Sequence, residues 1–208
     1  MNAAIMNARL ALHEIPADRI AGRWAAWVVG SGAVGAAAWL TWELPAWVTM
    51  LAIAATEFAA VKLATLPGYA ARASRGRLAG YLCAWPGMDA RAFLGAARAT
   101  RPRAGEWGFA FAKLGFGFAL AGWAATVAAP GGVTTRLGML GMIFVLHFGV
   151  LHLLSCAWRA AGVVAPPIMR APLLATSLAE LWGARWNLAF ADAARRFLLK
   201  PLARPLGA

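Results

Sequence analysis

The sequence predicts an all-α protein: a polytopic integral membrane helix bundle with about four transmembrane helices and additional amphipathic interfacial helices. Three observations lead there. The chain of 208 residues is 62% hydrophobic and only 13% charged, with a mean hydropathy of +0.63, whereas a water-soluble domain carries about a quarter charged residues and an apolar share near one half. Its apolar residues collect in four runs, each close to the roughly 20 residues needed to cross ~30 Å of hydrocarbon. Many of its 11 Trp residues stand near the ends of those runs, at the depth where indole is favoured in a bilayer. This composition argues against a water-soluble enzyme, a nucleic-acid-binding domain and a disordered basic chain.

The elements follow in order. The first 23 residues mix apolar side chains with Arg9, Glu14, Asp18, Arg19 and Arg23, a pattern expected of a retained interfacial segment rather than a cleavable signal peptide. The expected spans are 24–42, 47–66, 107–128 and 137–158. Glu43-Leu44-Pro45-Ala46 is a tight link that makes the first two spans an antiparallel hairpin, and Pro130-Gly131-Gly132 breaks the third from the fourth. Between the pairs lies a polar stretch, 67–106, expected to be a cytoplasmic loop. Beyond the fourth span Pro166-Pro167 blocks a continuing helix, and 173–202 is expected to lie on the membrane surface. No internal repeat or separate soluble domain is visible, so 1–208 is expected to form one membrane domain.

The formal charge of +12 calls for an explanation, and its distribution supplies one. Four spans put the termini and the middle loop on one side. That side carries Arg9, Arg19 and Arg23, seven arginines between Arg72 and Arg103, and seven basic residues between Arg159 and Arg204, which is 17 of the 20 Lys and Arg. The positive-inside bias then predicts cytoplasmic termini in a bacterial-type inner membrane, and no nucleic-acid partner is needed to account for the charge. Lys62 and Lys113 lie close enough to helix ends to snorkel. Gly30, Gly32, Gly35, Gly115, Gly117, Gly138 and Gly141 offer surfaces for close helix approach.

Few residues in the spans carry chemistry. Cys83 and Cys156 have no metal-ligand spacing. Glu57, midway along the second span, is read either as a structural carboxylate partly neutralised by Lys62 or another helix, or as a substrate or proton site. His147 and His152 are five residues apart, about 140° around a helix, so they do not form a pair of metal ligands; they either bond a neighbouring helix and an interface or line an acyl or alcohol channel. Between Ser177 and Asn187 the chain packs Glu180, Trp182, Arg185 and Trp186. Ser177 and Glu180 have the spacing of a capping box. On a continuous helix Trp182 and Trp186 would share a face, with Trp at headgroup depth and Arg reaching phosphates.

At these residues the sequence resembles the wax synthase-like branch of the membrane-bound O-acyltransferases. Ser177-Leu-Ala-Glu-Leu-Trp-Gly-Ala-Arg-Trp-Asn187 is similar to the family's S-L-x-E-F-W-G-R-R-W-N block, departing at Leu181 and Ala184. Tyr81-Leu-Cys-Ala-Trp-Pro-Gly-Met-Asp89 is similar to its W-P-G-M-D stretch. His147-Phe148-Gly149, followed by Trp158-Arg159 and Pro172, resembles the connecting segment. The resemblance implies transfer of a fatty acyl group from acyl-CoA, a co-substrate rather than a bound cofactor, to a lipid alcohol. It also implies a His acting as base on the alcohol and the block's Asn helping to position or polarise the reaction centre. Carried onto this chain, Asn187 is the catalytic amide, and Glu180, Trp182, Arg185 and Trp186 are substrate-binding neighbours.

The family's His lies some tens of residues after the Trp-rich block in an S-G-x-x-H-like context, and no residue up to Ala208 matches it. The expected reading is therefore a family member lacking its catalytic end. A partner chain would then supply the His, or His147 or His152 would take over as base, with His147 the assigned base and His152 placed at the substrate, or catalysis would be lost. The alternative from another class is a non-catalytic membrane subunit that binds lipid or scaffolds an enzyme. A small transporter is disfavoured, since no inverted repeat is visible.

Overall fold

The structure, a computed structural model, describes residues 17–127 and 132–199, with side chains from Val28 onward. Every regular element among them is helical. The interfacial segment expected over the first 23 residues, the break at Pro130-Gly131 and the end from Lys200 lie mostly or wholly outside the described residues. The chain divides into two compact units, 1–67 and 68–208.

The first unit is a helical hairpin of α1 (Ala17–Thr41) and α2 (Ala46–Ala64). Pro45 precedes α2 in extended geometry, where its missing N–H leaves no helical bond unmade, and its carbonyl accepts the Val48 N–H at 2.8 Å. Thr49 Oγ1 donates to Thr41 O at 2.7 Å, tying the two helix ends across the turn. The Lys62 ammonium lies over the Phe58 ring, 5.6 Å from its centroid. Glu57 is exposed and makes no ion pair among the described residues, so of its open readings the neutralisation by Lys62 or another helix is not formed there.

In the second unit the stretch read as a polar loop folds around an aromatic core. α3 (Arg75–Cys83) is capped by Ser74 and the short α4 (Ala90–Leu94) by Asp89, whose carboxylate accepts Ala92 N–H at 3.1 Å. Tyr81, Trp85, Met88 and Phe93 are buried. Phe93 stands at the centre, 5.5 Å from Tyr81, 6.0 Å from Trp85 and edge-on to Trp158 at 4.9 Å between ring centroids. Trp158 Nε1 donates to Ala84 O at 2.9 Å, and Gly80 leaves room for its indole, since a Cβ there would stand 2.8 Å from Cζ2. Trp158, expected in an interfacial belt, is thus half-buried against α3 and α4. The arginines hid this core from composition because they are largely carried on its outer surface: Arg72, Arg75, Arg91, Arg98, Arg101 and Arg103 are all exposed.

α5 (Ala104–Thr126) and α6 (Val133–Ala160) form the second hairpin. Their backbones meet at glycines. A Cβ on Gly117 would stand 2.6 Å from Val145 N, one on Gly141 2.7 Å from Ala121 N, and one on Gly149 2.9 Å from Leu114 Cα. Gly115 and Gly138 face open space instead, so only part of the expected small-residue surface is a helix contact. Within α6, residues Phe144–Val150 wind as a π-helix. α6 ends in a Schellman motif: Val163 N–H reaches Trp158 O at 2.9 Å and Gly162 N–H reaches Arg159 O at 3.0 Å, with Gly162 at φ 81°. The stop therefore precedes Pro166-Pro167 and does not depend on them.

The surface segment was expected to hold an amphipathic helix over 177–187 and a second surface stretch over 188–202, and the first of these ends early, at Arg185. α7 (Leu178–Glu180) passes into a π turn over Leu181–Arg185, and the chain then extends at Trp186 before Asn187 adopts φ 42°. α8 (Leu188–Ala194) follows with its own π turn over Arg195–Leu199. Asn is one of the few side chains that tolerate the left-handed region, which makes it the natural break point.

Among the described residues α2, α5 and α6 are long and apolar enough to cross a bilayer, and the apolar part of α1 over Val28–Thr41 is shorter. Trp39, Phe109, Phe118 and Trp123 are more than half exposed on these helices, as is Trp42 in the turn after α1. So much outward apolar surface suits hydrocarbon and not water. This is a helical membrane protein.

Candidate functional site

The second unit holds two polar constellations. The first is built from the Trp-rich block. Ser177 Oγ accepts the Glu180 N–H at 3.1 Å, as the capping spacing predicts. The Glu180 carboxylate, however, turns to Thr176, accepting its N–H and its hydroxyl at 2.8 Å each. Its other oxygen pairs with Arg185 at 2.7 Å. The two Thr176 bonds and then the guanidinium hold the Glu180 carboxyl down at about 2. Arg185 also donates to Ala171 O at 3.3 Å, while backbone bonds from Arg170 N to Arg185 O and from Leu188 N to Ile168 O stitch the block to 168–171. Glu180 and Arg185 are therefore joined to each other and to the local backbone rather than flanking an open Trp face.

Trp186 is the hub of this constellation. Its ring lies edge-on to Trp182 with centroids 6.3 Å apart, meets Phe148 at 6.0 Å, and stacks on His147 at 6.1 Å with 21° between planes. His147 is in the π-helical part of α6, where the wider winding re-aims side chains relative to the helix above and below. Its Nδ1 is buried and has no hydrogen-bond partner among the described residues. Asn187 caps α8, its Oδ1 accepting Phe190 N–H at 3.3 Å, while its own N–H points to Met169 Sδ at 3.2 Å. The side-chain NH₂ remains the group that can donate to a ligand. A recess beside the block is lined by Trp85, Met88 and Asp89 together with Ile168, Leu188 and Asp192, and Arg196 approaches Asp89 at 3.6 Å. The Trp85–Asp89 stretch thus shares one wall with α8, the helix that follows the Trp-rich block.

His152 belongs elsewhere. It sits in a ladder between α5 and α6 that sequence reasoning did not assemble. Arg159 grips Glu106 with both terminal nitrogens, one at 3.2 Å. Glu106 Oε1 lies 3.2 Å from His152 Nε2, and Lys113 Nζ lies 2.6 Å from His152 Nδ1. A lysine ammonium only donates, so Nδ1 is its acceptor and the ring proton sits on Nε2, where it donates to the carboxylate. Arg159 Nε also reaches Ser155 Oγ at 3.3 Å, and Ser155 in turn donates to Ala165 O at 2.7 Å. Spacing carried the signal: Glu106 and Lys113 are seven residues apart on one apolar helix, His152 and Arg159 seven apart on the next. Two turns return each pair to one face, and antiparallel packing sets one face against the other.

Glu106, His152 and Cys156 place their donor atoms within 4.8 Å of one another. Arg159 stands 3.6 Å from the Cys156 sulfur, and Lys113 occupies the far nitrogen of the His ring. Two cations on a three-ligand set oppose a divalent metal ion there.

No family model, no curated protein and no solved structure matches this chain.

Proposed function

We propose that this protein is a wax synthase-like membrane-bound O-acyltransferase that moves a fatty acyl group from acyl-CoA to a lipid alcohol, with His147 as base. The observation that carries the proposal is the stacking of His147, whose buried Nδ1 has no hydrogen-bond partner among the described residues, on Trp186, the residue that precedes Asn187. An unpartnered imidazole nitrogen is the group required to take a proton from a hydroxyl, and an amide NH₂ suits the oxyanion that follows. The alcohol oxygen, losing its proton to His147, attacks the thioester carbonyl. The oxyanion forms against Asn187, collapses, and expels the CoA thiolate, which takes the proton back from the imidazolium. The basic middle stretch offers exposed guanidiniums for the phosphates of CoA, on a face that positive-inside bias assigns to the cytoplasm of a bacterial-type inner membrane.

The test is ester formation from palmitoyl-CoA and hexadecanol by the purified full chain in detergent. His147→Ala lowers the rate by about two orders of magnitude or more, the range of a lost general base. Unchanged turnover in that variant overturns the assignment.

One observation favours a second reading, a lipid-binding subunit without catalysis. Glu180, Arg185 and the Asn187 Oδ1 all direct polar atoms into bonds within the block and its neighbours. Acyl-CoA binding with no ester formed under any condition decides for it.

A further inference from the structure

The ladder between α5 and α6 points to a ligand independent of acyl transfer. It holds one carboxylate, Glu106, and two basic side chains, Arg159 and Lys113. Glu106 is taken by Arg159 on both oxygens and by the His152 Nε2–H on one of them. Lys113, two helical turns further in, meets a ring nitrogen rather than an anion, and among the described residues no carboxylate lies within 4.0 Å of its Nζ. An ammonium has three N–H donors, of which His152 engages one. The Phe109 face, 4.5 Å from Nζ, covers another side. Lys113 is nine residues into α5, about 14 Å along its axis. A cation at that depth is held by a partner, and its present partner is neutral.

The surroundings specify what would complete it. Phe109 and Phe116 precede and follow Lys113 by four and three residues, so they share its face, and they are 63% and 53% exposed. They form an apolar track that begins at the ammonium and is open to the bilayer side. A small anionic head on a single long chain fits both parts. We propose that Lys113, oriented by His152, binds the carboxylate of a long-chain fatty acid whose chain runs along Phe116. A lipid phosphate offers the same charged-oxygen chemistry, and the test separates the two.

Radiolabelled oleate, oleyl alcohol and lysophosphatidic acid are each equilibrated with the purified full chain in detergent micelles, with no acyl-CoA present. Oleate binds the wild type roughly tenfold or more tightly than oleyl alcohol, as a charge-assisted contact implies. Lys113→Met removes that difference, while Lys113→Arg keeps it. The carboxyl ¹³C resonance of bound labelled oleate reports an ionised head group. Equal binding of oleate and oleyl alcohol by the wild type overturns the proposal, as does undiminished oleate binding by a folded Lys113→Met. Preference for lysophosphatidic acid over oleate overturns the carboxylate assignment. If Lys113→Met fails to fold, the wild-type comparison and Lys113→Arg decide alone.

Discussion

Asn187 joins two demands in one residue. Its backbone sits at φ 42°, and its Oδ1 caps α8. Ala at this position meets both the left-handed strain and the loss of the cap, whereas Gly meets only the second. Asn187→Gly is therefore expected to be more stable than Asn187→Ala by about 1 kcal/mol, measured by thermal unfolding in detergent. Activity discriminates roles: a purely structural Asn187 regains ester formation in the Gly variant, while an amide that touches the reacting carbonyl leaves both variants inactive. Glu180 makes a prediction in pH. Its carboxyl titrates at about 2 in the fold against an ordinary 4.5. A depressed native value means that its stabilising contribution is complete above pH 4.5, declines as pH falls toward 2, and is gone below. Wild-type thermal stability should therefore fall more than that of Glu180→Gln across this window. Parallel curves would show that the Thr176 and Arg185 contacts contribute nothing to the fold.

At the scale of elements, the α5–α6 hairpin rests on glycines that stand against backbone. Around Gly117 the nearest atoms to an added Cβ are Val145 N at 2.6 Å and Gly141 O at 2.8 Å, and backbone cannot rotate aside as a side chain can. Gly117→Ala is expected to destabilise the hairpin by about 1–3 kcal/mol, the usual range for overpacking. Gly115, two residues away, has nothing within 4 Å of such a Cβ. Gly115→Ala should leave stability unchanged or raise it by up to about 1 kcal/mol through helix propensity. Reversible unfolding of the two variants in mixed micelles tests the pair; equal effects would mean that the helices are not apposed at Gly117. The same apposition aligns the Glu106–Lys113 face of α5 with the His152–Arg159 face of α6. Loosening it should weaken the ladder as well.

For the whole molecule, the outward apolar surface of α2, α5 and α6 predicts that the chain stays with the membrane pellet through alkaline carbonate extraction; release into the supernatant would contradict the spans. Much of this was legible along the chain. Three of the four expected spans fall within four residues of helices long enough to cross, and the Pro45 hairpin and the Ser177 cap form as their local chemistry predicts. Each depends on residues a few positions apart, so neighbours in sequence determine it. The aromatic core around Phe93 escaped composition because exposed arginines dominate the count there. The π winding at His147 escaped periodicity because it departs from the helical repeat that periodicity assumes. The sequence alone determined a membrane-spanning, all-helical chain with a Trp-rich block. Only the tertiary structure decided that Trp186 stacks on His147 and that Glu106, Lys113, His152 and Arg159 form one ladder. Those pairings depend on the register and rotation of helices packed across space, which no single segment encodes.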